Sequence, residues 1–268
     1  MKTLALTLLC VVAAAQARST GSNSARWSRA EAGAAPSLVH LRLAVFTSGL
    51  LNTCAGSIID QRWLLTSASC ISPARFIWSR FGAVDVIRPE LVLETSTASI
   101  NVHPNYNATT GANNIALVSL NRNVELSDNV NVTVLASEGA ELPSSGSFYA
   151  YGQNEAGGPG EQLRGIDVEI QSGEDGAIVA SIEASAFDIG APLIVDGVQY
   201  GILVDPASGT FLNPALYRGW IEETAGISLP GGDSASDEDS SSDEDSSSSS
   251  SESDSESSEE VDAVKFVN

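Results

Sequence analysis

Basic and metal-binding side chains are scarce in this chain of 268 residues. Lysine occurs only as Lys2 and Lys265, so eleven of the 13 basic residues are arginine. Arginine keeps its charge at high pH where lysine does not, which fits either an alkaline secretory setting or a drift in composition. Histidine occurs twice, as His40 and His103, and cysteine three times. With so few imidazoles and thiols the ligands for a zinc site run out, and no metal site is expected. No cofactor is expected: Gly157-Gly-Pro-Gly160 reads as a turn, not as a phosphate-binding loop. The 34 acidic residues bring the formal net charge to −21, which repels nucleic acid and anionic membrane surfaces. No apolar run is long enough to span a bilayer.

What is present begins with a leader. Lys2, the apolar stretch Leu4–Ala15 and the small-residue triplet Ala15-Gln-Ala17 are the basic, hydrophobic and cleavage parts of a signal peptide over residues 1–17. The mature chain is therefore expected to be secreted and extracellular. Cleavage removes Cys10 and leaves Cys54 and Cys70, an even pair that reads as one disulfide in an oxidising compartment. Asn107-Ala-Thr109 and Asn131-Val-Thr133 are N-glycosylation sequons. His40 lies in an apolar run and is expected to be a hydrogen-bonded structural histidine.

Residues 18–35, rich in Ser, Ala, Gly and Arg, read as a loose N-terminal arm. From Leu38 onward short apolar runs recur between turn residues, among them Leu38–Phe46, Phe76–Phe81, Ile115–Leu120, Val130–Leu135, Phe148–Gly152 and Gln199–Val204. Short strands at such spacing, without long helical periods, predict an all-β barrel or sandwich. A short C-terminal helix is predicted around Trp220, within Pro214–Gly226.

Residues 228–268 break with this pattern. Pro230-Gly-Gly232 reads as a hinge, and Asp233–Glu260 is almost entirely Ser, Asp and Glu. Such a segment buries too little apolar surface to offset its ordering entropy and is expected to be disordered. Ser236, Ser242, Ser250, Ser257 and Ser258 stand two residues before a glutamate and are candidate phosphorylation sites. Phosphates there would build an anionic brush for weak, multivalent Ca²⁺; without them the tail is a solvating block of charge.

The stretch Cys54-Ala-Gly-Ser-Ile-Ile-Asp-Gln-Arg-Trp-Leu-Leu-Thr-Ser-Ala-Ser69-Cys70 is followed by Arg80-Phe-Gly-Ala-Val-Asp-Val86, His103-Pro-Asn-Tyr-Asn107, Asn114-Ile-Ala-Leu117, Asp188-Ile-Gly-Ala-Pro-Leu193, Gly201-Ile-Leu-Val204 and Pro214-Ala-Leu-Tyr217. In this order the pieces resemble the trypsin/chymotrypsin-like serine proteases (peptidase family S1), in the insect chymotrypsin and collagenase-like branch. The resemblance implies a chymotrypsin-like fold of two antiparallel β-barrels over residues 36–227. The first would cover about 36–135 and the second about 136–227. The second would be reduced, with a shortened Glu169–Ser185 segment and without its usual disulfides.

The same resemblance places Ser69 where the family has its base, Asn114 where it has its acid and Ile189 where it has its nucleophile. A hydroxyl does not serve as a general base at neutral pH, an amide carries no charge to orient an imidazolium, and isoleucine has no heteroatom to attack a carbonyl. Phe187 stands at an oxyanion-hole glycine and Pro206 at a substrate-pairing position. Ser24-Ala-Arg-Trp27 stands where zymogens free the terminus that pairs with the aspartate aligned to Asp188, which must then find another partner, face solvent or shift its pKa upward. The expectation is a serine protease homologue that is not an enzyme, a pseudoenzyme acting as decoy, cofactor or scaffold for a protein partner such as an active protease or a matrix component. The alternatives are a secreted acidic structural or Ca²⁺-binding phosphoprotein, and a serine-type endopeptidase as the family label alone would have it.

Overall fold

The computed structural model describes residues 26–45 and 51–231. The expected signal peptide, the five candidate phosphoserines and nearly all of the acidic tail lie outside them.

Alternation of side chains along each strand builds two barrel-like sheets. Strand β1 (Ser28–Arg29) comes first and belongs to the second sheet. The first sheet holds β2 (Leu38–Val45), β3 (Leu51–Asp60), β4 (Trp63–Thr66), β5 (Ala74–Phe81), β6 (Leu91–Ser96), β7 (Ile100–Val102) and β8 (Ala116–Ser119), in the order β6-β5-β2-β3-β4-β8-β7. Alternate side chains of β2 and β5 fill its core: Val39, Leu41 and Leu43 of β2 and Ile77 and Phe81 of β5 have no exposed surface. The second sheet holds β9 (Val134–Leu135), β10 (Ser145–Ala150), β11 (Arg164–Ser172), β12 (Ile178–Ala180), β13 (Pro192–Val195), β14 (Val198–Asp205) and β15 (Thr210–Leu212). Because β12 pairs with both β15 and β11, strands β10 to β15 close a ring. Strand β1 adds to β11, and β9 runs parallel beside β14. The crossover between the barrels thus precedes Val134, slightly earlier than the sequence places it.

Each barrel has its own apolar core. A third cluster lies on the seam between them, where Leu65 and Leu117 meet Leu135, Ile202 and Ile221. Ile221 belongs to the C-terminal helix, which follows a turn capped by Asn213 and stops at Gly226 in the left-handed conformation.

Two expectations about the ends are corrected. Residues 26–35 are docked rather than loose. Trp27 meets Phe148 edge-on at 6.0 Å, the Arg164 guanidinium lies 5.5 Å from the Trp27 ring, and Ala30 N donates to Leu163 O at 3.0 Å. The aromatic surface of one residue supplies the burial that the polar composition around it hides. The body also runs past residue 227. Arg218, buried in the C-terminal helix, donates to the carbonyls of Leu135, Ala136, Leu229 and Pro230, and Leu229 is itself buried. A guanidinium with carbonyl partners on both flanking segments fastens the chain as far as Gly231.

Candidate functional site

Ser69 lies in the one-turn helix α1 (Ala68–Ile71), immediately before Cys70. The Cys54–Cys70 disulfide, with Cα atoms 6.1 Å apart, ties this turn to β3. Asn114 arrives from the segment before β8 and is buried. Its Oδ1 accepts Ser69 N–H at 2.7 Å and its Nδ2 donates to Ser69 Oγ at 3.0 Å. The Ser69 hydroxyl in turn lies 3.4 Å from the buried Ser67 hydroxyl. This is a neutral network: every group in it is a hydroxyl or an amide, and none takes up a proton near neutral pH.

Ile189 comes from the other barrel. Its side chain is half-buried and packs against the core of the first barrel, and its carbonyl accepts Ala55 N–H from β3 at 2.9 Å. The next residue must be glycine. Gly190 has φ +87°, and a Cβ there would collide with Ala55 O and Thr66 Oγ1. The segment therefore lies hard against β3, and Ile189 acts as a wedge on the seam between barrels.

Just upstream, Ser185 and Asp188 form a capping box around a single 3-10 turn. Phe187 N–H donates to Ser185 Oγ at 3.1 Å, and Ser185 N–H donates to Asp188 Oδ2 at 2.9 Å. The Phe187 N–H, at the place the resemblance gives to an oxyanion donor, is thus already occupied. Asp188 is 1% exposed and its Oδ1 accepts Gly152 N–H at 2.7 Å. Burial pushes its carboxyl above the ordinary carboxylate value, while the N–H donors and the nearby Arg164 pull the other way. Of the three outcomes left open by the sequence, Asp188 takes two: it finds backbone partners and its pKa rises. Downstream, the Pro206 carbonyl accepts Ala184 N–H at 3.4 Å.

Neither histidine belongs to this group. His103 is packed edge-on against Tyr217 and Trp220, with ring centroids 5.4 and 4.9 Å away. His40 overturns the expectation of a hydrogen-bonded structural histidine: it is 2% exposed and neither ring nitrogen has a partner. Burial, reinforced by Arg80 and Arg42, holds its pKa down to about 3. Among the described residues no group of three or more His, Cys, Asp or Glu side chains is placed to hold a metal ion. Asn107 and Asn131 are both exposed. No helix among the described residues is long and apolar enough to cross a membrane.

The structure therefore brings Ser69 and Asn114 into direct contact, and joins the Ile189 segment to the strand that carries Cys54. Sequence reasoning missed Gly152 and the box formed by Ser185. The spacing Ser185-x-x-Asp188 was a usable signal for the last; the backbone N–H of Gly152 left none.

A family model described as Trypsin matches residues 27–204. Brachyurin of Leptuca pugilator is 28% identical over 209 residues, 65% of this chain and 88% of that protein. Proproteinase E of Bos taurus is 34% identical over 115 residues, 40% of this chain and 46% of that protein. A solved structure of HL collagenase matches with a TM-score of 0.65 at 22% identity, covering 75% of this chain and 98% of that one. At that identity the structural likeness speaks for the fold alone.

Proposed function

The chain belongs to the trypsin family, and from that premise we propose that it is a non-catalytic member that acts by binding another protein. The observation that carries this reading is the Ser69–Asn114 pair. The amide uses both its oxygen and its nitrogen on Ser69, so the contact is a pair of uncharged hydrogen bonds in which neither partner takes up a proton near neutral pH. Ile189, packed into the first barrel's core, supports the same reading. In this proposal the chain is secreted and glycosylated at Asn107 and Asn131. It serves as a decoy, cofactor or scaffold for an active protease or a matrix component. The test is a broad peptide-substrate assay combined with a fluorophosphonate probe of reactive serines. No hydrolysis and no labelled serine are expected; labelling at any serine sinks the proposal.

A second reading draws on the acidic repeats around Ser236 and Ser242, which suit a phosphorylated, Ca²⁺-binding tail. Calorimetry with Ca²⁺ before and after phosphatase treatment tests it, with weaker binding expected afterwards.

A further inference from the structure

Side chains that point away from the first barrel's core on β2, β5 and β6 form one patch. In the strand register His40 stands opposite Arg80, and Arg80 opposite Val92. Arg42 lies two residues from His40 on the same face. An outward face is ordinarily wet, yet His40 is buried, because Tyr151 from the second barrel covers it edge-on at 5.0 Å. Tyr151 is fixed there by its hydroxyl, which donates to Ala83 O at 2.7 Å. A cleft of about 330 Å³ remains, lined by His40, Arg42, Arg80, Ile87, Val92 and Glu161 among others.

Three features of this cleft are unaccounted for by folding. Arg42 and Arg80 share one face, and burial first, then the charge of Arg42, lowers the Arg80 pKa; among the described residues Arg62, Arg164 and Arg218 donate side-chain hydrogen bonds and these two do not. Glu161, the carboxylate on the wall, pairs with neither of them. His40 presents two buried nitrogens without partners beside those cations. Ile87 and Val92 are 68% and 41% exposed at the same cleft, so an apolar wall adjoins the charge. On a chain of net charge −21 an uncompensated pair of arginines runs against the general field.

We infer that this cleft docks an acidic peptide segment of the partner protein, with carboxylates on Arg42 and Arg80 and a neighbouring apolar side chain on Ile87 and Val92. The inference rests on the binding reading above and gives it a site and a ligand class. Guanidinium groups take carboxylates in a two-pronged geometry. The apolar wall selects a peptide over inorganic phosphate or a sulfated sugar, either of which leaves Ile87 and Val92 uncovered. A bound carboxylate also offsets the positive field at His40, so the imidazole reports occupancy.

The test uses the full chain and a short fluorescein-labelled peptide that alternates glutamate with leucine. Polyglutamate of equal length and a heparin oligosaccharide serve as controls. Anisotropy should show saturable binding to the alternating peptide, weakened by salt. R42Q/R80Q should lose about tenfold or more. V92D, a change on an exposed side chain that leaves both arginines in place, should lose binding as well, and it carries the test if the double variant does not fold. The His40 ring resonances should shift along the same saturation curve, while those of His103 stay fixed. Unchanged affinity in V92D, or equal binding of polyglutamate or heparin, overturns the site. Hydrolysis of the peptide by the wild-type chain would remove the non-catalytic reading and leave the site standing; no saturable binding of the peptide to the wild-type chain, and no hydrolysis, would remove the site and leave the non-catalytic reading standing.

Discussion

The two barrels of this molecule are held by different means. The first carries the disulfide, which closes a loop from β3 to α1. The second contains no cysteine and closes by strand pairing alone, with β12 bonded to both β15 and β11. The candidate site on their seam inherits this contrast. The first barrel contributes hydroxyls and an amide that satisfy one another. The second contributes an apolar wedge at Ile189 and a buried carboxylate at Asp188, held by backbone donors. On the non-catalytic reading proposed above, the first half keeps the polarity of a reactive centre without its charge. The second keeps a carboxyl group but buries it on the backbone N–H groups of Gly152 and Ser185.

The largest expected effect tests whether the halves fail together. S69H/N114D/I189S places His, Asp and Ser at the positions that the resemblance gives to base, acid and nucleophile, yet should give only weak peptide hydrolysis, because Phe187 N–H remains bound to Ser185. Adding F187G and S185A should raise the rate further by about 10²–10³-fold, the usual worth of one oxyanion donor. A rate equal to that of the triple variant would show that the second barrel's half is not the limiting one.

The disulfide should matter to the first barrel alone. C54S/C70S is expected to lower stability by about 3 kcal/mol in denaturant titration, from the loop that the bond closes. Hydrogen exchange should report the loosening in β3 and β4 and not in β10 to β15.

The matching probe of the second barrel is D188N, expected to cost about 2 kcal/mol because an amide leaves one of the two N–H donors unpaired. Folding raises the Asp188 pKa above its ordinary 3.8, so the native state holds this proton more tightly than the unfolded state. Its stabilising contribution is therefore full below the ordinary value and is lost as pH rises through the raised one. Midpoints measured from about pH 4 to about pH 7 should show the gap between wild type and D188N narrowing as pH increases. A gap that widens would mean the carboxylate is stabilised as an anion, against the burial that surrounds it.

The smallest contrast lies within the first barrel's pair. N114A should cost about 1.5 kcal/mol, since it strands Ser69 N–H as well as Ser69 Oγ. S69A should cost about 0.5 kcal/mol, since the backbone contact to Asn114 survives. Equal losses would mean that the hydroxyl, and not the backbone, anchors the loop.

Much of this architecture was legible in the chain. The alternating apolar runs located most strands, and β14 (Val198–Asp205) falls where the run Gln199–Val204 predicted. The strands that escaped notice, β1, β7, β12 and β15, span two or three residues each and are too short to show a period. The docked arm escaped because Trp27 is its one large apolar residue, and the rest of its hold is backbone pairing of β1 with β11 and of Ala30 with Leu163, which leaves no mark in the sequence. His40 was misjudged for a related reason. Its apolar surroundings announced burial, but the absence of a hydrogen-bond partner depends on Tyr151, more than a hundred positions away.

By itself the sequence determined the fold class, the pairing of Cys54 with Cys70, and the residue types at the seam, because alternation, cysteine count and side-chain chemistry are local properties. Tertiary structure decided what those residues do to one another. Asn114 bonds Ser69 twice, Ile189 wedges into the opposite barrel, Asp188 turns to Gly152, and Arg42 and Arg80 stand together, paired with no carboxylate among the described residues. Hydrogen-bond saturation and burial are set by which groups meet, and these groups meet only when two barrels close on a common seam.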